Sequence, residues 1–180
     1  MFSKLAAVLL LAAFVATTYG CDKFPNNTAT ALNWFNCPDS GNIVFHTLVS
    51  KDASGNSEYP VKLKEPVYIN VNLDNNGATY TNIQLDVTLY QWGGWEGCKW
   101  SKVPTFGLLN GQDACANGVP CPIKQGKNQN LKIVIDFSKY DAIIGLLQND
   151  APYQLQYVLT DKASGQTSCT VVQARSLTTA

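Results

Sequence analysis

The sequence has few charged residues. Lysine, arginine, aspartate and glutamate make up 14% of the 180 residues, against about 25% in an average domain. The 13 basic and 13 acidic residues cancel each other, and no basic block is present that would attract nucleic acid or an anionic membrane. We therefore expect no nucleic-acid partner, and a surface that suits an uncharged or amphipathic ligand.

Groups that most catalytic sites need are also scarce. A Ser-His-acid triad requires a histidine beside a nucleophile, and His46 is the only histidine. The sequence has no Gly-x-Ser-x-Gly elbow and no glycine-rich phosphate loop. It also has no CxxC pair, so we expect no zinc site. Carboxylates such as Asp86, Asp136 and Asp150 cannot be placed relative to one another at this stage, but we expect neither an enzyme nor a metal or cofactor.

Long apolar runs are limited to one, from Leu5 to Val15. The run falls well short of the roughly 20 residues that span a bilayer. With Lys4 before it and small residues up to Gly20, it predicts a secretory signal peptide over residues 1–20. Asn26 begins an N-glycosylation sequon. We expect a secreted protein, either extracellular or in the lumen of an endosomal or lysosomal compartment.

Cysteine, by contrast, is well represented. An even number of cysteines behind a signal peptide predicts three disulfides, although the count alone does not fix their pairing. The six are Cys21, Cys37, Cys98, Cys115, Cys121 and Cys169.

Apolar and polar residues alternate with a period of two through most of the chain. This pattern predicts β-strands over residues 43–49, 67–73, 83–89, 131–137, 153–159 and 171–175. Turns rich in Gly, Asn, Asp and Pro separate them, and only residues 140–147 could form a turn or two of helix. Many short strands of this kind predict a single all-β domain, an antiparallel sandwich or barrel.

Two apolar regions interrupt the alternation. One runs from Trp92 to Leu109 and is rich in aromatic residues, and the other runs from Asp141 to Leu147. Loops are usually polar because water must satisfy their backbone groups. These regions therefore either fold back over the ends of the sandwich or line an opening into its interior.

Several motifs resemble one known family. The stretch Cys115-Ala-Asn-Gly-Val-Pro-Cys121-Pro-Ile123 is similar to the signature hairpin of the ML (lipid-recognition) domain family, which includes the Niemann–Pick cholesterol-transfer protein, the ganglioside activator protein and mite group-two allergens. Leu32-Asn-Trp-Phe-Asn-Cys37 resembles the opening of such a domain. The resemblance covers residues 34–176 and implies an immunoglobulin-like two-sheet antiparallel β-sandwich with an internal apolar cavity. An N-terminal segment, 21–33, precedes the domain, and a tail, 177–180, follows it.

The resemblance also implies a disulfide pattern. Cys37 would pair with Cys169 and Cys115 with Cys121, which leaves Cys21 and Cys98 for each other. This differs from the cholesterol-transfer protein, whose third bridge closes a small loop near the N-terminus, because residues 38–60 here contain no cysteine.

In this family a lipid lies between the two sheets, so the inward residues of the strands are candidate contacts. Alternation alone favours an ordinary core residue at each of these positions, and it is the family resemblance that makes them candidate contacts. The candidate wall residues are Ile69, Val71, Leu85, Val87, Leu89, Ile133, Ile135, Leu155 and Tyr157. By similarity, Phe106, Phe137 and Tyr140 would lie near the entrance. Tyr140 and Tyr157 could each present a hydroxyl to a lipid head group.

The resemblance implies a secreted protein that holds a sterol, fatty acid or other lipid and transfers or presents it. Its partners would be donor and acceptor membranes or a receptor that accepts the lipid, and we expect a monomer. The alternative is an immunoglobulin-like extracellular module that binds another protein without a lipid. Such modules carry a tryptophan on a central strand, and residues 43–90 contain none.

Overall fold

The computed structural model describes residues 20–95 and 97–179. The predicted signal peptide, apart from Gly20, lies outside the described residues. The strands are β1 (Asn33–Gly41), β2 (Ile43–Lys51), β3 (Val61–Lys62), β4 (Val67–Asn75), β5 (Ile83–Trp92), β6 (Trp100–Lys102), β7 (Gln112–Asp113), β8 (Gly126–Ile135), β9 (Ala151–Asp161) and β10 (Thr167–Leu177). Two 3₁₀ turns, Pro25–Asn27 and Phe137–Tyr140, and one short helix, α1 (Asp141–Ile144), complete the described structure.

These strands form two sheets that pack face to face. The larger sheet has the order β1-β10-β9-β5-β6, with β3 beside β10 and β7 beside β5. The smaller sheet has the order β2-β4-β8. Neighbouring strands are antiparallel except for the two-residue β3, which runs parallel to β10. The predicted all-β, immunoglobulin-like sandwich is therefore confirmed.

The six predicted strands are all present, and most are longer than the alternation suggested. Along β4 the buried residues recur at every second position because one face of the strand packs against the larger sheet. Residues 140–147 contain the expected short helix, α1. Strand β1 was not predicted from the alternation, and β3, β6 and β7 are too short to produce one.

The face assigned to the second half of β2 was wrong. The prediction placed Val49 on the same face as Phe45, but the register shifts between Phe45 and Thr47, where a bulge faces β4. The bulge reverses the alternation beyond it. Leu48 is therefore buried, whereas Val49 is 41% exposed.

The predicted strand 131–137 also ends early, at Ile135. The side chain of Asp136 accepts a hydrogen bond from the backbone N–H of Ser138 and begins a 3₁₀ turn. Phe137 therefore lies in that turn and not in the strand.

At one edge of the sandwich, a side chain makes the pair of hydrogen bonds that the backbone of a neighbouring strand would make. The Asn36 amide in β1 donates to the carbonyl oxygen of Phe45 in β2, and its oxygen accepts from the Phe45 N–H, both at 3.0 Å. Since β1 belongs to the larger sheet and β2 to the smaller one, this pair of hydrogen bonds joins the sheets along one edge.

The N-terminal segment covers the outer face of β10. The Asn26 amide donates to the side-chain oxygen of Gln173 at 2.8 Å. The Tyr59 hydroxyl donates to the carbonyl of Thr28 at 2.5 Å and accepts from the N–H of Arg175 at 2.8 Å. Asn26 is an exposed residue, and its glycosylation stays a prediction.

Three disulfides join the cysteines in the expected pairs. Cys37–Cys169 joins neighbouring strands β1 and β10 within the larger sheet. Cys21–Cys98 attaches the N-terminal segment to the loop between β5 and β6. Cys115–Cys121 closes the loop that follows β7.

One end of the sandwich, which we call the closed end, is densely packed. It contains Ile43, Leu73, Asn75, Ile83 and Asp161, all at most 1% exposed. Asn75 donates to the carbonyls of Ala78 and Ile123 and accepts from the N–H of Gly77. The polar atoms of the Asn75 side chain thus have partners within the protein.

Asp161 is the most extensively bonded carboxylate at the closed end. It accepts hydrogen bonds from the backbone N–H groups of Thr81, Asn82 and Ser164 and from the Ser164 hydroxyl, at 2.7 to 3.1 Å. Burial by itself would raise the pKa of Asp161, but the hydrogen bonds from Ser164, Asn82 and Thr81 outweigh it and lower the pKa to about 2.

Candidate functional site

A cavity of about 370 Å³ lies between the two sheets. It extends from the middle of the sandwich to the end opposite the closed end. This volume corresponds to roughly a dozen water molecules and lies within the usual range for small-ligand sites. Most of the lining is aliphatic or aromatic, so the cavity suits an apolar ligand.

Eleven of the twelve predicted contact residues line this cavity. They are Ile69, Val71, Leu85, Val87, Leu89, Ile133, Ile135, Phe137, Tyr140, Leu155 and Tyr157. Although Leu85, Leu155 and Tyr157 lie on the inner face of the larger sheet, they are only partly buried. Their burial is incomplete because their side chains border the empty volume of the cavity.

Phe106 is the exception. Its side chain is 86% exposed, and it lies outside the cavity lining. Its backbone has a φ of 51°, in a loop that continues to the 52%-exposed Leu108. A role for Phe106 in lipid entry stays a prediction.

The sequence analysis missed several lining residues. Tyr153 and Leu159 lie on the same face of β9 as Leu155, so the alternation could have identified them. Leu48 was missed because of the bulge in β2. Other missed residues come from the smaller sheet, the two apolar regions, β10 and the segments after β3 and β7: Phe45, Leu63, Val67, Leu109, Val119, Ile143, Ile144, Leu147, Val172 and Ala174.

The two apolar interruptions meet at one end of the sandwich, which we call the open end. Leu109 from the first region and Ile143 from the second form a buried cluster with Val87, Leu89 and Tyr153. Leu109 also binds β5, since the Val87 N–H donates to its carbonyl at 2.9 Å. These regions both fold back over the end of the sandwich and contribute to the cavity wall.

The cavity reaches the surface between β8 and the loop after β7. Asp136 and Lys139 on one side and Ala116 on the other are exposed residues that belong to the lining. At the neighbouring Gly118, the loop touches β8, because the Val134 N–H donates to the Gly118 carbonyl at 3.1 Å. This hydrogen bond closes part of the edge opposite Asn36.

Glycine is required at position 118 for two reasons. Its φ is +94°, in a region that side chains disfavour. A Cβ there would lie 1.6 Å from the carbonyl oxygen of Val134. Only glycine therefore lets the loop lie this close to β8.

Few polar groups face the cavity, and two of them are hydrogen-bonded within the protein. The Thr170 hydroxyl donates to the carbonyl of Phe35 at 3.1 Å. The Tyr153 hydroxyl accepts from the Gln148 N–H and donates to the Gln148 carbonyl, at 2.6 and 3.0 Å. Burial raises the pKa of Tyr157 far above its ordinary value, which keeps this phenol neutral.

Within the described chain, no group of three or more His, Cys, Asp or Glu side chains could hold a metal ion. His46 lies on the surface, with its Nε2 atom 3.2 Å from a carboxylate oxygen of Asp74. Over the same residues, no helix has the length and apolar character needed to cross a membrane.

Comparisons with known proteins give matches only among structures. No family model matches the sequence, and no curated protein is significantly similar to it. The crystal structure of a Niemann-Pick type C2 protein from Japanese carpenter ant is similar, with 12% identity over 80% of this chain and 98% of that chain, at a TM-score of 0.42. The C-terminal domain of wzt is similar with 6% identity over 83% of this chain and 80% of that chain, at a TM-score of 0.41. At these values neither likeness carries an argument about the chemistry of the cavity.

Proposed function

We propose that this is a secreted lipid-binding protein that holds one lipid between its two sheets and transfers or presents it. The observation that carries the proposal is the apolar cavity of about 370 Å³ that opens between β8 and the loop after β7. A lipid tail in that cavity would replace water around both the tail and the inner face of each sheet.

The expected driving force is sufficient. Burying one CH₂ group contributes about 0.8 kcal/mol, so a chain of about a dozen carbons would contribute about 10 kcal/mol. Ordering the chain and restricting its motion offset part of this gain. No covalent step is needed, so the proposed carrier is not an enzyme.

The position of the opening favours a particular orientation for an acyl lipid. Among the described residues, the only charged side chains of the lining are Asp136 and Lys139, and both are exposed at the opening. A charged or zwitterionic head group would therefore stay at the opening in contact with water, while the tail enters. From there the lipid could pass to a membrane or to a receptor.

Three disulfides support an oxidising compartment, either extracellular or lumenal. Organic extraction of protein secreted from eukaryotic cells, followed by mass spectrometry, tests the function directly. We expect one lipid per protein molecule. Protein that repeatedly lacks lipid, and does not bind a fluorescent fatty acid, would leave a module without a lipid ligand as the better explanation.

A pair of variants tests whether the lipid binds in the cavity. In Leu155→Trp the indole fills the space beside β9, and we expect the bound fluorescent fatty acid to be lost. Thr88→Trp adds the same side chain to the opposite face of the neighbouring strand β5, outside the lining, and should bind normally. Equal binding by both variants would place the lipid elsewhere.

A further inference from the structure

Tyr157 lies in the middle of the cavity wall. It belongs to the inner face of β9, where its neighbours across the sheet are Val87 in β5 and Thr170 in β10. All three residues line the cavity. The hydroxyl of Tyr157 is thus the polar end of a side chain that is otherwise surrounded by apolar groups.

Three tyrosine hydroxyls elsewhere in the described chain have protein partners. Tyr59 bonds to Thr28 and Arg175, Tyr153 bonds twice to Gln148, and Tyr90 donates to the side chain of Gln156 at 3.2 Å. The hydroxyl of Tyr80 is buried without a hydrogen-bond partner in the described chain, but Tyr80 lies outside the cavity lining.

Like Tyr80, Tyr157 has a hydroxyl to which no residue of the described chain hydrogen-bonds, but unlike Tyr80 it lines the cavity. Thr170 beside it directs its own hydroxyl hydrogen to the Phe35 carbonyl. A buried hydroxyl without a partner is unfavourable, and an apolar phenylalanine of the same shape would avoid that cost. Because the hydroxyl of Tyr157 faces the cavity, a ligand bound there can supply the partner.

We propose that Tyr157 selects lipids whose buried part carries one uncharged oxygen, a hydroxyl or a carbonyl, over lipids whose buried part is pure hydrocarbon. The proposal rests on the lipid-binding function above and adds the class of lipid. Tyr157 can donate to a carbonyl or hydroxyl oxygen and can accept from a ligand hydroxyl. A carboxylate does not fit there, because Lys139, the only cation among the described lining residues, lies at the exposed opening.

The test uses matched probes that differ by one oxygen. Palmitate is compared with hydroxypalmitates that carry the hydroxyl at different chain positions, and cholestane with cholesterol. Each competes with a fluorescent fatty acid for the wild-type protein, for Tyr157→Phe and for Tyr90→Phe. Tyr90 is a control on the outer side of the larger sheet, outside the cavity lining.

We expect the wild type and Tyr90→Phe to bind at least one oxygenated probe roughly five- to tenfold more tightly than its parent, as one hydrogen bond allows. In Tyr157→Phe that preference should fall below twofold while the parent compound binds as before. Its thermal midpoint without ligand should be equal or higher, because no hydrogen bond within the protein is lost.

Two results overturn the proposal in different ways. If probes bind but Tyr157→Phe keeps the preference, or if the wild type shows none, then Tyr157 does not select the ligand and the lipid-binding function still stands. If neither protein binds any probe and secreted protein contains no lipid, then the lipid-binding function itself is wrong, and the role of Tyr157 with it.

Discussion

The closed and open ends of this sandwich are built from the same strands but are packed differently. At the closed end, Leu73 and Ile83 are 1% exposed, and Asn75 and Asp161 use their polar atoms to bind the turns above them. Toward the open end, inward residues such as Leu155 border the cavity and are only partly buried.

The two ends differ in whether the turns fill the gap between the sheets or leave it empty. The turns of the closed end cross the gap between the sheets, and side chains within the gap hold them there. The backbones of Tyr80 and Ile123 also form a bridge at this end, since they exchange hydrogen bonds at 2.9 and 3.0 Å. At the open end, a 3₁₀ turn, α1 and an apolar loop surround the gap instead of filling it. The filled core therefore lies at one end of the sandwich and the cavity toward the other.

Truncating one leucine at each end tests this comparison most strongly. We expect Leu73→Ala to lower the free energy of unfolding by about 3 kcal/mol, because it creates a cavity in a filled region. Leu155→Ala should cost only about 1 kcal/mol, since that side chain already borders empty space and loses fewer contacts. Urea titrations of both variants give the two values, and equal losses would contradict the distinction between the ends.

The loop contact at Gly118 is the next largest effect. Gly118→Ala should destabilise the protein by about 2 kcal/mol and speed lipid release, because the loop must move away from Val134. Gly55→Ala is the matched control, since Gly55 has a similar φ of +87° but open space around it. If both variants release lipid at the wild-type rate, this contact does not limit the opening.

Acid should affect the closed end through Asp161. Its pKa is lowered from 3.8 to about 2 in the folded protein. Its contribution to stability is therefore complete above pH 4 and is lost as the pH falls toward 2. Asp161→Asn should lower the free energy of unfolding by about 1.5 kcal/mol at neutral pH and flatten its decline in acid. Urea titrations across this pH range give both quantities, with the exposed Asp39→Asn as a control that should follow the wild type.

The smallest effect on stability is expected at Phe106. Because its side chain is 86% exposed, Phe106→Ala should change the free energy of unfolding by less than about 0.5 kcal/mol. If Phe106 helps a lipid enter, as its loop position by family resemblance implies, the variant will transfer lipid between vesicles more slowly. Normal transfer would remove Phe106 from the site.

The alternation predicted six of the ten strands of the described chain, but not which of their inner residues border the cavity. Ile83 and Leu85 are two positions apart on one strand with the same pattern, yet Ile83 lies in the filled core and Leu85 borders the cavity. That difference depends on what covers each end, which periodicity does not encode. The reversal at Leu48 depends on a bulge, and the early end of β8 depends on one capping carboxylate at Asp136. The unpartnered hydroxyl of Tyr157 could not be predicted, because it depends on neighbours from other strands.

The placement of the cystines has a mechanical consequence. Cys37–Cys169 lies within the larger sheet, and the other two bridges tie down loops and the N-terminal segment, so none of the three staples one sheet to the other. Antibody domains, in contrast, fix their sheets with a covalent crosslink. Here hydrogen bonds from Asn36 at one edge and the hydrogen bond from Val134 to Gly118 at the other are among the contacts between the sheets. No cystine therefore sets the distance between the two sheets, which depends on side-chain packing and noncovalent contacts.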